Sequence, residues 1–172
     1  RDEDKLLRDP ASPYHLLSGA RWIWARTDDE APHVFRANLA IPAGRKIRSA
    51  ILMAGSDSGC EISIGDQAPA KCGSVHMPDA HDIAARLRAG DNAIAVRAAR
   101  RRNAKSAGLI AAVKVELEDG SSVTLRSGPL WRVDGGEARD LGAYGVAPWG
   151  EVGFKEERLL PARMLRKEFD VA

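Results

Sequence analysis

The stretch HDIAARLRAGDNAIAVRAAR at residues 81–100 decides how this chain folds. Asp82 is a residue type that caps helical turns, and Ile83 and Leu87 are four residues apart, so they share one face of such a turn. Gly90 follows at the position where a left-handed residue ends a helix. The stretch therefore predicts a short capped turn that is pinned to a sheet by two apolar side chains.

Short strands surround this turn on both sides. Residues 93–98 alternate, with Ile94 and Val96 on one face, and Asp119-Gly120 is a strong hairpin-turn dipeptide within 107–127. No long helix alternates with a strand, which disfavours a parallel α/β fold. The predicted fold is all-β, an antiparallel β-sandwich of jelly-roll type. The remaining predicted strands cover 20–26, 33–42, 47–55, 60–66 and an edge strand at 128–133.

Composition narrows the class of protein without naming a function. The chain has 172 residues, 26 Lys and Arg against 24 Asp and Glu, and a net charge of +2. This length suits one domain, and the dispersed charge argues against a nucleic-acid partner. No apolar run is long enough to span a bilayer. Two cysteines cannot build a disulfide scaffold, so composition predicts only a globular domain.

The chain divides into four segments by pattern. Residues 1–19 are expected to be a charged N-terminal leader, and 20–133 form the β-sandwich. Residues 134–162 are rich in glycine and are predicted to be a wrapping segment or linker. Residues 163–172 have the pattern of a strand without a partner. We therefore expect a closing strand there or the start of a following module, and a chain cut from a longer protein.

Three stretches resemble sugar-binding sandwich domains of large glycoside hydrolases. FRANLAIP at 35–42 is similar to their opening strand, and CEISIGD at 60–66 to a following strand. Asp82-Ile83, Leu87 and the run from Gly90 to Val96 resemble a third segment of that family. The chain is similar over about 20–133 to the galactose-binding-domain-like jelly roll of β-galactosidase-like and α-L-rhamnosidase-like enzymes. LRKEFDV at 165–171 repeats the opening pattern of 34–41.

The resemblance implies a noncatalytic accessory module of a larger exported enzyme, extracellular or periplasmic. It implies carbohydrate or adjacent domains of the same polypeptide as partners, no resident cofactor, and a structural calcium as an option in such folds. The residues agree, since neighbouring carboxylates at Asp28-Asp29 and Glu156-Glu157 point apart and cannot face each other across a glycosidic bond. A purely structural spacer that packs on a catalytic domain is the alternative.

Candidate sugar-binding residues lie in the glycine-rich segment and after one strand. Aromatic side chains that stack on sugar rings are offered by Trp149 and Tyr144, with Asp134 and Arg139 as polar neighbours. Trp149 could equally seal an interface with the next module, and we weight that interpretation above ligand binding. The basic run 100–102, with Arg100 and Arg102, fits either an acidic polysaccharide or a solvated loop.

The cysteines and histidines leave two questions open. Cys60 and Cys72 flank one strand and its loop, so a disulfide is possible in an exported protein, and a buried free thiol is at least as compatible. His76 and His81, with Cys72 and Asp79, could hold a metal on a loop. The spacing favours ordinary surface histidines, because no second ligand pair follows.

Overall fold

Strands make up most of the computed structural model, which describes residues 13–74 and 79–150. Two 3₁₀ helices, Pro13–Gly19 and Ala84–Arg86, accompany them. The strands are β1 Arg21–Trp24, β2 His33–Ile41, β3 Ile47–Ser56, β4 Cys60–Ile64, β5 Ala70–Ser74, β6 Asp79–Asp82, β7 Gly90–Ala98, β8 Leu109–Leu117, β9 Ser122–Arg126, β10 Arg132–Val133, β11 Gly136–Glu137 and β12 Arg139–Ala143. The all-β prediction is confirmed.

The strands form one hydrogen-bonded path in the order β11-β10-β2-β7-β4-β5-β3-β8-β1-β12, with β6 beside β3 and β9 beside β8. Each described pairing is antiparallel except that of β3 with β5, where Gly55 lies opposite Gly73. The prediction of a wholly antiparallel sandwich therefore needs correction. Because β5 bonds to both β4 and β3, it joins the two layers and the mixed sheet nearly closes into a barrel.

Alternate residues of facing strands fill the space between the two layers. In β2 the buried positions follow the period of two that a strand requires, beginning with His33 and Phe35. In β7 the buried positions are again every second residue, including Ile94 and Val96. This inner core contains Ile23, Trp24, Phe35, Leu39, Leu52, Ile62, Ile94, Val96, Val113 and Val115.

A second apolar layer, here called the outer cluster, covers the other face of β1, β3 and β8. Its buried members are Leu16, Leu17, Ala20, Trp22, Met53, Ile110 and Ala112, and Tyr144 and Trp149 pack against them. Leu17 is fully buried, so the part of the predicted leader at 13–19 belongs to the fold. Burial of Leu16 and Leu17 stabilises this packing because it removes apolar surface from water. Residues 1–12 lie outside the described residues.

The glycine-rich segment also carries strands that the pattern did not reveal. β12 pairs with β1 along its length, from Arg21 opposite Ala143 to Trp24 opposite Arg139. The sheet therefore continues past 133 to Ala143, and only 132–133 of the predicted edge strand at 128–133 are extended. β12 contains Gly142 at φ 123° and faces a register shift in β1, so its alternation is broken. Residues 151–172, including the predicted closing strand, lie outside the described residues.

The capped turn at the centre of the sequence forms as a single 3₁₀ turn. The Asp82 carboxylate accepts a hydrogen bond of 3.1 Å from the Ala84 amide, and Ile83 is buried. Gly90 has a φ of 87°, the left-handed conformation that its position predicts. Asn92 then ties the turn together, since its amide oxygen accepts from the Arg88 amide at 2.9 Å and its Nδ2 donates to the Arg88 carbonyl at 2.8 Å.

Replacing Asn92 by alanine is expected to lower the free energy of unfolding by about 2 kcal/mol. The side chain is buried, and its loss leaves the Arg88 amide and the Leu39 carbonyl without their side-chain partner. Urea denaturation measures the effect. Asn38→Ala, an exposed asparagine of β2, is the matched control and should change stability far less. Equal effects of the two variants would contradict this role for Asn92.

Candidate functional site

The outward side chains of β2, β7 and β4 form an exposed surface, here called the open face. They point away from the inner core because Phe35, Val96 and Ile62 lie side by side in register and point inward. The outer cluster covers the outward surface of the other layer, on β1, β3 and β8. The outward surface of β2, β7 and β4 is the open face, which is exposed to solvent. Its members are Val34, Arg36, Asn38, Ala40, Asp91, Ala93, Ala95, Arg97, Glu61 and Ser63.

One end of the open face holds a shallow hollow of about 360 Å³, here called the disulfide-end hollow. The disulfide between Cys60 and Cys72 forms part of its wall, and Glu61, Lys71 and Arg97 line it. The Arg97 guanidinium is 4.0 Å from the Glu61 carboxylate, a loose ion pair. The hollow therefore offers two basic groups and one carboxylate to a ligand.

The other end of the open face holds a deeper hollow of about 300 Å³, here called the turn-end hollow. The Asn38 amide nitrogen donates to the Asp91 carboxylate at 2.9 Å. Arg86 and Gln67 hold the loop after β4, since Arg86 Nη1 donates to the Ala68 carbonyl at 3.1 Å and Gln67 Nε2 donates to the Arg86 carbonyl at 3.0 Å. Arg88 adds a guanidinium. Amide, carboxylate and guanidinium groups together can donate to and accept from hydroxyl groups.

Two predicted site residues, Arg100 and Arg139, meet at Asp28 in the loop after β1. Arg139 Nη2 donates to the Asp28 carboxylate at 2.7 Å, and Arg100 Nη1 donates to the Asp28 carbonyl at 2.6 Å. Arg100 also donates to the Ala104 carbonyl at 3.1 Å through Nε. These bonds join the loop after β1, the loop after β7 and the start of β12. Sequence reasoning missed Asp28 as their common partner, because Arg139 is 111 residues away along the chain.

A third predicted residue, Asp134, faces a buried histidine. The Asp134 carboxylate is 2.8 Å from His33 Nδ1, and the Asp29 carboxylate is 3.0 Å from His33 Nε2. Asp134 has a φ of 51°, a left-handed conformation that aspartate tolerates in turns. His33 thus links the loop before β2 to the turn between β10 and β11.

The two aromatic candidates lie on the outer cluster. The Trp149 ring stacks on Trp22 with centroids 4.5 Å apart and planes 17° apart, and its indole N–H donates to Asp57 at 3.0 Å. Tyr144 is half-buried against the same cluster. One face of Trp149 is therefore covered by protein. Arg102 is exposed on the loop after β7, apart from these contacts.

The metal hypothesis loses one of its ligands. Cys72 is bonded to Cys60, so its sulfur is not a free thiolate. His76 lies outside the described residues. Within 13–74 and 79–150 no cluster of three His, Cys, Asp or Glu side chains is placed to hold a metal ion. Nor does any helix in those ranges have the length and apolar character to cross a membrane.

Acid is expected to weaken the loop contact made by Asp28. The Arg139 hydrogen bond and charge hold the pKa of the Asp28 carboxyl below its ordinary value, so the bond stabilises the fold above about pH 4 and is lost as pH falls through the lowered pKa. Asp28→Asn should therefore be less stable than wild type at pH 6, and the gap should narrow at pH 3. Urea midpoints measure it, with Asp66→Asn as the control. A gap that is the same at both pH values would contradict this role.

Comparison with known proteins places the fold. No protein-family profile matches the chain, and no curated protein matches it. An α-L-rhamnosidase from Streptomyces avermitilis, solved with L-rhamnose, superposes with a TM-score of 0.70 at 21% identity, covering 83% of this chain and 17% of the enzyme. A Pleurotus ostreatus lectin, solved with GalNAc, superposes with a TM-score of 0.70 at 20% identity, covering 81% of this chain and 48% of the lectin.

An α-L-rhamnosidase from Aspergillus terreus superposes with a TM-score of 0.53 at 20% identity, covering 80% of this chain and 20% of the enzyme. The chain therefore spans less than half of each of these proteins. The predicted resemblance to a galactose-binding-like domain of glycoside hydrolases is confirmed at the level of the fold.

Proposed function

We propose that this chain is a noncatalytic carbohydrate-binding module of jelly-roll type within a larger, exported glycoside hydrolase of the α-L-rhamnosidase kind. Two observations support the part of the proposal that places this chain within a larger, exported enzyme. The fold is shared with rhamnosidases, of which the chain matches only 17–20%, and with a lectin solved with GalNAc. The disulfide between Cys60 and Cys72 suits an oxidising compartment outside the cytoplasm.

The open face carries the proposal for where sugar binds. It is exposed, it runs between two hollows, and small side chains at Ala93, Ala95 and Ser63 leave its middle accessible. Asn38 and Asp91 supply donors and acceptors at the turn-end hollow. Trp149 does not supply the aromatic platform in this proposal, because Trp22 covers one of its ring faces.

Calorimetric titration tests the proposal. Isolated wild-type protein is titrated with L-rhamnose, galactose, GalNAc and plant and bacterial polysaccharides, and at least one is expected to bind. Asn38→Ala and Asp91→Ala should weaken that binding by about tenfold each, because each removes a hydrogen-bonding group from the turn-end hollow. Lys46→Ala, in the loop before β3, is the control and should bind as wild type. No binding to any of these sugars would reject the proposal.

A structural spacer is the second candidate, and the outer cluster favours it. Val146 is 37% exposed beside the half-buried Tyr144 and Trp149, so apolar surface continues to the edge of the described residues. In a spacer this surface would pack on a neighbouring domain. The spacer is preferred if no glycan binds while an apolar dye binds to the isolated chain, and if Val146→Ser reduces that dye binding.

A further inference from the structure

Two arginines stand directly opposite each other at the edge of the open face. Arg36 of β2 pairs in register with Arg132 of β10, so their side chains leave the same side of the sheet with Cβ atoms about 5 Å apart. Both are exposed. Like charges in this position repel each other. Arg132 donates only to the neutral Gly135 carbonyl, at 3.1 Å, and neither guanidinium forms an ion pair within 13–74 and 79–150.

More basic groups continue from this pair across the open face. Arg97 of β7 is the diagonal neighbour of Arg36, because Arg36 pairs with Ala95 two residues before it. Lys71 follows at the disulfide-end hollow. Three carboxylates face these four basic side chains: Glu61, 4.0 Å from Arg97, Glu137, opposite Arg132 in register, and Asp91, at the far end of the open face beside Asn38. The surface thus has an excess of positive charge.

We propose that the open face binds an acidic glycan, with a uronic acid carboxylate held between Arg36 and Arg132. This inference rests on the proposed carbohydrate-binding function and names its ligand class. A carboxylate matches the paired donors of a guanidinium, and placed between two arginines it would relieve their mutual repulsion. Arg97 and Lys71 would meet further carboxylates of the same chain, because the path from β10 across β2, β7 and β4 to β5 crosses four strand spacings, roughly 19 Å in all.

Polygalacturonate and its fully methyl-esterified form are the probes, titrated calorimetrically against the whole chain. Wild type should bind the acid form at least about tenfold more tightly than the ester, since the ester lacks the charge that a guanidinium holds. Arg36→Ala and Arg132→Ala should each weaken binding of the acid form about tenfold. Arg36→Lys keeps the charge and should recover part of it. Arg26→Ala changes the net charge equally, from the loop after β1, and should bind as wild type.

Three results would overturn the inference. Equal binding of the acid and ester forms would reject it and leave carbohydrate binding intact. Equal loss in Arg26→Ala and Arg36→Ala, or binding of polyglutamate as tight as that of polygalacturonate, would show attraction by net charge and not recognition of a glycan. Absence of binding to every acidic and neutral sugar would reject the proposed function as well.

Discussion

Replacing Trp22 by alanine is expected to lower the free energy of unfolding by about 4 kcal/mol. The side chain is fully buried and stacks on Trp149, so its removal leaves a cavity at the centre of the outer cluster. Met53 and Ile110 belong to the same cluster and would lose packing partners. Urea denaturation, followed by circular dichroism because the change removes a fluorophore, measures the loss.

Trp149→Ala is the informative companion variant. Trp149 is half-buried, so its loss should destabilise by about 2 kcal/mol and leave glycan binding unchanged. Gly108→Ala should mimic it, because an added Cβ would lie 2.6 Å from the Trp149 ring. If Trp149→Ala instead abolished glycan binding with stability unchanged, Trp149 would be a sugar platform and our placement of the site on the open face would be wrong.

Local chemistry explains which elements the sequence predicts well. Asp82 and Gly90 act through a bond and a conformation within a few residues of themselves, and Asn92 bonds locally to Arg88 besides its long-range bond to the Leu39 carbonyl. The local part of this pattern defines the turn without knowledge of the rest of the fold. The hairpin at Asp119-Gly120 is equally local, and β8 and β9 pair on either side of it. Alternation likewise predicts β2 and β7, because one face of each is buried and the other is exposed.

The outer cluster departs from that alternation. Leu109, Ile110, Ala111, Ala112 and Val113 are all buried, since β8 has apolar layers on both sides. The continuous apolar run LIAAV is the signal that could have revealed a second layer. The residues that complete this second layer are Leu16 and Leu17, from an early segment of the chain, and Trp149, from a late one. No local pattern links segments so far apart in the sequence.

The site proposed on the open face depends on strand register, which residue types alone do not supply. Arg36 falls within the predicted strand 33–42, and Arg132 falls within the predicted edge strand 128–133. Their juxtaposition requires the pairing of β2 with β10. Arg100 drew attention as part of a basic run, yet its bonds to the Asp28 and Ala104 carbonyls make it a loop-positioning residue.

Loss of the disulfide is expected to lower the free energy of unfolding by about 3 kcal/mol. Cys60 and Cys72 lie opposite each other in β4 and β5, 12 residues apart in sequence and with Cα atoms 5.0 Å apart. The cross-link therefore closes a short loop in the unfolded chain and holds the strand that joins the two layers. Thermal unfolding with and without a reductant measures the effect in wild type.

The double variant Cys60→Ala/Cys72→Ala provides the control. Its thermal stability should equal that of reduced wild type and should not change when the reductant is added. Equal stability of oxidised and reduced wild type would contradict the prediction.

Glycan binding by oxidised and reduced protein, measured below the melting temperature, then distinguishes the contributions of the two ends of the open face. Lys71 stands on β5 beside the disulfide, whereas Arg36 and Arg132 stand on β2 and β10. Reduction should therefore weaken contacts at the disulfide-end hollow and spare the arginine pair, because the disulfide ties β4 to β5 and neither arginine stands on those strands.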